Sequence, residues 1–194
     1  VRSAGWMNCN TSSVRGLEAQ YLNVAGTAFA KKTEIGFTHT NWLKGTGISI
    51  NSFGITQHVG ESGALTLGIM SMDFGNIEIT TPESPEGGIG TYKPQFLNVG
   101  LSYAKAFSNS IYGGLTIKII SESVADVRAS GIAFDAGIQY VTGFNKEKDN
   151  LRFGIALKNV GAPLNFKGDG LASKGFTSDQ TSLTISQRAE RFEL

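Results

Sequence analysis

Three charged side chains stand out because their positions in the alternation of their segments place them on the same side: Lys118, Asp135 and Arg152. Lined up on neighbouring strands, they would set a carboxylate between two cations. Such a cluster either holds a buried interface in register or tunes the passage of a charged solute. Lys158 shares their parity and is expected as a spare interior cation nearer a rim. Other chemistry is scarce. His39 and His58 are the only histidines and lack carboxylate neighbours in sequence, so each is expected to be an isolated, hydrogen-bonded ring. Cys9 is the only cysteine, which excludes an intrachain disulfide or a cysteine zinc cage, and its flanking residues do not suit lipidation. The run Gly87-Gly88-Ile89-Gly90 precedes no helix and fits a loop of positive φ better than a phosphate cradle. No nucleophile-base set emerges, so neither an enzyme, a metal site nor a cofactor is expected, bound lipid or detergent apart.

The elements that must position the charged residues have a period of two. In Gln95–Phe107, Leu97, Val99, Leu101 and Tyr103 alternate with Asn98, Gly100, Ser102 and Ala104. Ile111, Leu115, Ile117 and Ile119 alternate with Tyr112, Gly114, Thr116 and Lys118, and only Ile120 breaks the rule. Ile132, Phe134, Ala136, Ile138 and Tyr140 alternate with Ala133, Asp135, Gly137 and Gln139. Leu151, Phe153, Ile155 and Leu157 alternate with Arg152, Gly154, Ala156 and Lys158. Segments of roughly ten residues with one oily face suit tilted strands that cross a bilayer. Earlier stretches, Glu34–Asn41, Gly47–Val59 and Gly63–Thr80, read as strands, and a last one is expected near Thr181, Leu183 and Ile185.

The non-oily face decides between a soluble sandwich and a barrel in lipid. It is mostly Gly, Ala, Ser, Asn, Thr and Gln, whereas a solvated face would be dense in charge. The whole chain agrees. Its 194 residues include 25 Gly and 4 Pro and are 17% charged, with a net charge of +1, which gives no electrostatic reason to bind nucleic acid. The expected fold is therefore all-β, a transmembrane antiparallel β-barrel, preceded by an N-terminal segment (1–33) that forms a plug or a short surface helix and followed by barrel strands over 34–194. Within that segment Ser12–Ala19 reads as a capped short helix and Asn23-Val24-Ala25-Gly26 as a turn.

Connections read as alternately short (Glu61–Gly63, Ser108–Ser110, Asn145–Asn150) and long (Thr81–Pro94, Ser123–Ser130, Gly161–Gln180), as on the two rims of a bacterial barrel. The long ones would contact partners, through Glu83, Glu86, Tyr92, Arg128, Lys167 and Asp169. Trp42, Tyr103, Lys105 and Tyr140 are expected to anchor the chain at the membrane interface.

Several of these segments resemble one family. Tyr21-Leu22-Asn23-Val24-Ala25-Gly26-Thr27-Ala28 looks like the Asn-Pro-Ala-Gly-Leu motif near the start of PorV/PorQ proteins, with Val24 where the family usually has Pro. Phe37–Leu43, Ser71–Ile77, Val99–Lys105, Gly114–Lys118, Ala133–Gly137 and Leu157–Gly161 follow in the family's order. These are FadL-like outer-membrane barrels of Bacteroidota linked to type IX secretion. The resemblance implies about fourteen strands in a full barrel, against about eight legible here, so the sequence is expected to be partial. It also implies a Gram-negative outer-membrane location and a role in binding or handing over secreted proteins that carry a C-terminal sorting domain, or in partnership with the secretion translocon and surface-attachment machinery. A FadL-like channel for hydrophobic small molecules is the alternative, and would need an apolar pocket reached through the N-terminal segment and a lateral opening or a kinked strand near Gly113-Gly114 or Gly87-Gly88. A purely structural barrel within a larger surface complex is the third reading.

Overall fold

A computed structural model describes residues 2–82, 84–143, 149–168, 172–176 and 182–186. Seven long strands form one antiparallel meander: β1 (Thr33–Asn41), β2 (Ser49–Val59), β3 (Gly63–Asp73), β6 (Gln95–Ala106), β7 (Ile111–Val124), β8 (Val127–Thr142) and β9 (Leu151–Gly161). Each pairs with the next, and a two-residue strand, β10 (Lys167–Gly168), adds to β8 beyond the end of β9. Two short pairs stand apart from this sheet: β4 (Ile77–Glu78) with β5 (Thr91–Tyr92), and β11 (Ala172–Phe176) with β12 (Ser182–Ser186). Among the described residues β1 and β9 are not paired with each other.

The alternation gives the two faces of the sheet opposite characters. Small and polar residues are buried, including Thr56, Thr66, Ser102, Ala104, Thr116, Ala133 and Gln139. The large apolar residues between them are exposed, with Leu115 at 66%, Phe134 at 51% and Ile155 at 75%. In water each such side chain forgoes ~1.5–3 kcal/mol of burial, so this face requires an apolar covering. No helix among the described residues is long and apolar enough to cross a membrane, which leaves the strands unconstrained.

What buries the small face is the N-terminal segment. After a single helical turn, α1 (Arg2–Gly5), the chain crosses the sheet as two 3₁₀ helices, η1 (Leu17–Tyr21) and η2 (Val24–Phe29). Strand glycines form the bed for it. Gly36, Gly54, Gly68 and Gly100 are cross-strand partners in a row over β1, β2, β3 and β6. A Cβ on Gly36 or Gly54 would stand within 2.8 Å of Leu17, and one on Gly68 would lie 2.2 Å from Gln20 Oε1. Val24 and Ala28 pack against Ala104, with Tyr112 beside them, and the ring of Phe29 stacks on Tyr112 at 3.9 Å.

Several expectations require correction. The helix expected over Ser12–Ala19 begins only at Leu17, because Gly16 at φ 72° turns the chain, and Gly16 offers no side-chain cap. The turn at Asn23 is the start of η2, whose Ala25 N–H donates to Asn23 Oδ1. The strand expected over Gly63–Thr80 ends at Asp73. Ser123–Ser130 is not a long loop: β7 and β8 continue to Val124 and from Val127, joined by Ala125 and Asp126 with Ala125 at φ 48°. Most of the turn expected at Asn145–Asn150 lies outside the described residues, and the two-residue β7–β8 connection, expected to be long, means that short and long connections do not alternate. Gly113-Gly114 lies in unbroken register with Lys105 and Ala104, so β7 is not kinked there.

Candidate functional site

The break in the ladder lies instead between β8 and β9. Phe134 pairs with Val160 and Ala136 with Leu157, so Asp135 faces two residues, Lys158 and Asn159. This is a bulge, and its chemistry is legible residue by residue. Asn159 takes φ 58°, a left-handed conformation that Asn tolerates better than most side chains. The N–H of Asn159 donates to Asp135 Oδ1 at 2.8 Å.

The same carboxylate receives the Lys118 ammonium, with Nζ 2.7 Å from Oδ1. Lys118 Nζ also donates to Asn159 Oδ1, which closes a three-residue ring across β7, β8 and β9. Both charged side chains are buried, at 10% and 6% exposure. Lys158, the neighbouring inward cation, donates to the backbone carbonyl of Tyr21 and so ties the bulge to η1. A cavity of about 230 Å³ opens beside these groups, lined by Gln20, Asn98, Thr116, Lys118, Asp135 and Lys158 among others.

Of the four predicted lumen charges, the structure unites Lys118, Asp135 and Lys158 and leaves Arg152 out. Lys158 is a member of the cluster and not a spare cation near a rim. Arg152 lies opposite Val141, near the Thr142 end of β8 and away from Asp135 in its middle, and there donates through Nε and Nη2 to Asp149 at 2.7 and 2.8 Å. Parity along a strand reports the face, whereas height depends on register, and in an antiparallel ladder equal parity spans the whole strand. Asp149 also takes Arg15 of the N-terminal segment at 2.9 Å. The Arg152 hydrogen bond, then Arg15, holds its carboxyl below the usual range.

Polar anchors hold the N-terminal segment along its length. Asn23 is 1% exposed and donates from Nδ2 to the carbonyls of Thr11, Ile138 and Ile155. Gln139 Nε2 donates to the carbonyls of Thr11 and Val14, Gln20 Nε2 to that of Gly100, and Glu34 accepts the Leu17 N–H. Sequence reasoning passed over Gln20, Gln139 and Asn159 as anchors. Amides at inward positions beside strand glycines were the available signal, since a glycine inside a strand marks close backbone approach.

Tyr103 and Tyr140 are exposed on the apolar face, 49% and 41%, with Lys105 exposed near the end of β6. Trp42, 51% exposed, begins the β1–β2 connection at the other end of the sheet. Tyr92 is half-buried in β5 opposite Ile77, and Glu86 is exposed. Arg128 and Lys167 are cross-strand partners in β8 and β10 and do not lie on loops. Glu83 and Asp169 lie outside the described residues. His39 sits between Asn51 and Asn41, with Nδ1 2.7 Å and Nε2 3.2 Å from their Oδ1 atoms. No three His, Cys, Asp or Glu residues among the described ones cluster as metal ligands. No protein-family model matches the chain, and no curated protein matches it.

Proposed function

We propose that this chain forms part of a β-barrel in the outer membrane of a Gram-negative bacterium of the Bacteroidota, and that it binds or hands over secreted proteins instead of catalysing a reaction. One observation carries the membrane reading: the strands expose their large apolar side chains and bury their small polar ones. That distribution suits lipid outside and a polar lumen within. The outward row on β8 from Ile132 to Tyr140 extends about 26 Å at ~3.3 Å per residue, or about 20 Å upright at a tilt of ~40°, close to the apolar thickness a barrel presents. The partner reading rests on the resemblance to PorV/PorQ proteins, in which cargo with a C-terminal sorting domain, or the translocon itself, would engage the rim.

The channel for hydrophobic small molecules has less support, since two cations and a carboxylate, Lys118, Lys158 and Asp135, line the cavity beside the N-terminal segment alongside Met70 and Tyr21. Two experiments test the proposal. With Trp6 and Trp42 replaced by Phe, Trp introduced at Ile117, which points outward, is expected to be quenched by brominated lipid, and Trp in place of Tyr112, which points inward, is expected to be spared. Equal quenching, or none at Ile117, would remove the membrane reading. Affinity capture from outer membranes in mild detergent, read by mass spectrometry, is expected to recover translocon components or sorting-domain cargo. Recovery of the barrel alone with lipid or fatty acid would remove the hand-over reading.

A further inference from the structure

Arg128 and Lys167 are directly opposed in register across β8 and β10, a like-charge pairing that destabilises a ladder unless something neutralises it. Among the described residues neither side chain has a hydrogen bond or an ion pair. Both are exposed. On β7, Ser123 is the partner of Arg128, and Ser121 is the partner of Ser130. Ser121, Arg128, Ser130, Asn165 and Lys167 line a cavity of about 410 Å³.

The height of this cavity gives it meaning. Arg128 and Ser130 share the outward parity of Ile132 and Phe134, and Ser121 and Ser123 share that of Ile117 and Ile119. The apolar band thus passes into hydroxyls and then into two unpaired cations, at the end of the sheet where Trp42 also lies. Over a distance of about 13 Å along β8 at ~3.3 Å per residue, the surface changes from hydrocarbon-compatible to strongly anion-seeking.

We infer that Arg128 and Lys167, with the Ser121 and Ser130 hydroxyls, form a binding site for the phosphate of a lipid headgroup. The inference rests on the membrane reading above. A planar guanidinium offers a phosphate two parallel N–H donors, an ammonium supplies a point charge, and serine hydroxyls serve the remaining oxygens. A phosphate at this level would turn the repulsion between the two cations into shared attraction while its acyl chains lie along Ile119 and Ile132. The same chemistry would accept free phosphate, so the source must be separated by experiment.

The full chain in an uncharged detergent is titrated calorimetrically with dihexanoyl phosphatidic acid and, separately, with inorganic phosphate. Saturable binding of the lipid is expected, weakened at least about tenfold in R128Q/K167Q and unchanged in K105Q, which removes an outward cation at the other end of the strands. Inorganic phosphate is expected to bind more weakly. Equal affinity would keep the phosphate site but assign it to the free anion. In phosphate-free detergent K167Q is expected to melt no lower than the parent, because it relieves repulsion. A lower melting temperature, an absence of saturable binding by either probe, or binding unaltered in the double variant would overturn the site. Brominated-lipid quenching at Ile117→Trp reports membrane burial independently. Quenching without phosphate binding would overturn this inference alone, and phosphate binding without quenching would overturn the membrane reading and the lipid source together.

Discussion

Asp135 is the residue on which the inner face depends most, because one carboxylate oxygen meets both the Lys118 ammonium and the Asn159 N–H. Removing one member of a buried pair leaves the other uncompensated, so Asp135→Asn is expected to destabilise the fold by roughly 3–5 kcal/mol, and D135N/K118M to recover most of that loss. Urea unfolding in a fixed detergent measures both. Asn159→Ala is expected to cost about 1–2 kcal/mol through its left-handed backbone, and Asn159→Gly to keep the bulge. Equal losses for the two Asn159 variants would mean that the Lys118 contact, and not the backbone, matters there. Asp149 reports differently. Its folded pKa is depressed by Arg152 and Arg15, so its contribution is present above the ordinary carboxylate range and is lost as pH falls through the lowered value. Protease cleavage near Arg15 is therefore expected to rise in the parent only below the ordinary carboxylate range, and to be raised already at neutral pH in Asp149→Asn.

At the level of elements, the N-terminal segment and the strand glycines are one device. A Cβ on Gly137 would lie 2.1 Å from Asn23 Oδ1, which already caps η2, whereas a Cβ on Gly36 meets only the far end of Leu17. Gly137→Ala is expected to cost about 1–3 kcal/mol and to speed hydrogen exchange over 11–28, with Gly36→Ala closer to neutral. If both variants exchange like the parent, the segment rests on the sheet without depending on the glycine bed. Its 3₁₀ geometry was hidden from sequence because Leu17–Tyr21 and Val24–Phe29 are too short for a helical period to develop. The strands were visible over most of their length, since eight or more alternating positions in β6, β7 and β8 leave no other period. Their ends were misplaced at Ser123–Ser130, where the polar run Ser121-Glu122-Ser123 continues the ladder instead of leaving it.

For the whole molecule, the outward apolar face is the dominant energetic fact. If the sheet spans a bilayer as proposed, Ile117→Arg is expected to cost about 2–4 kcal/mol of folding stability in lipid vesicles, where the side chain would sit at mid-depth. The same change at Ser123, at the rim, is expected to cost under ~1 kcal/mol. Denaturant titration in vesicles measures the pair, and equal costs would show that position 117 is not in hydrocarbon. Among the described residues, burial is concentrated beneath the N-terminal segment, which forms a second layer on the sheet.

Except past the bulge in β9, where Val160 shares the outward face of Phe134 despite having the parity of Lys158, the strand faces were decided by sequence alone, because side-chain direction alternates along an unbroken strand. So were the oily and small characters of those faces, and the inward parity of Lys118, Asp135 and Lys158. Heights were not. Register and the bulge at Asn159 arise from cross-strand contacts distant in the chain, and they bring Lys158 to Asp135 while sending Arg152 to Asp149. The pairing of Arg128 with Lys167 belongs to the same class, since only a tertiary ladder sets two cations that are well separated in sequence directly opposite one another.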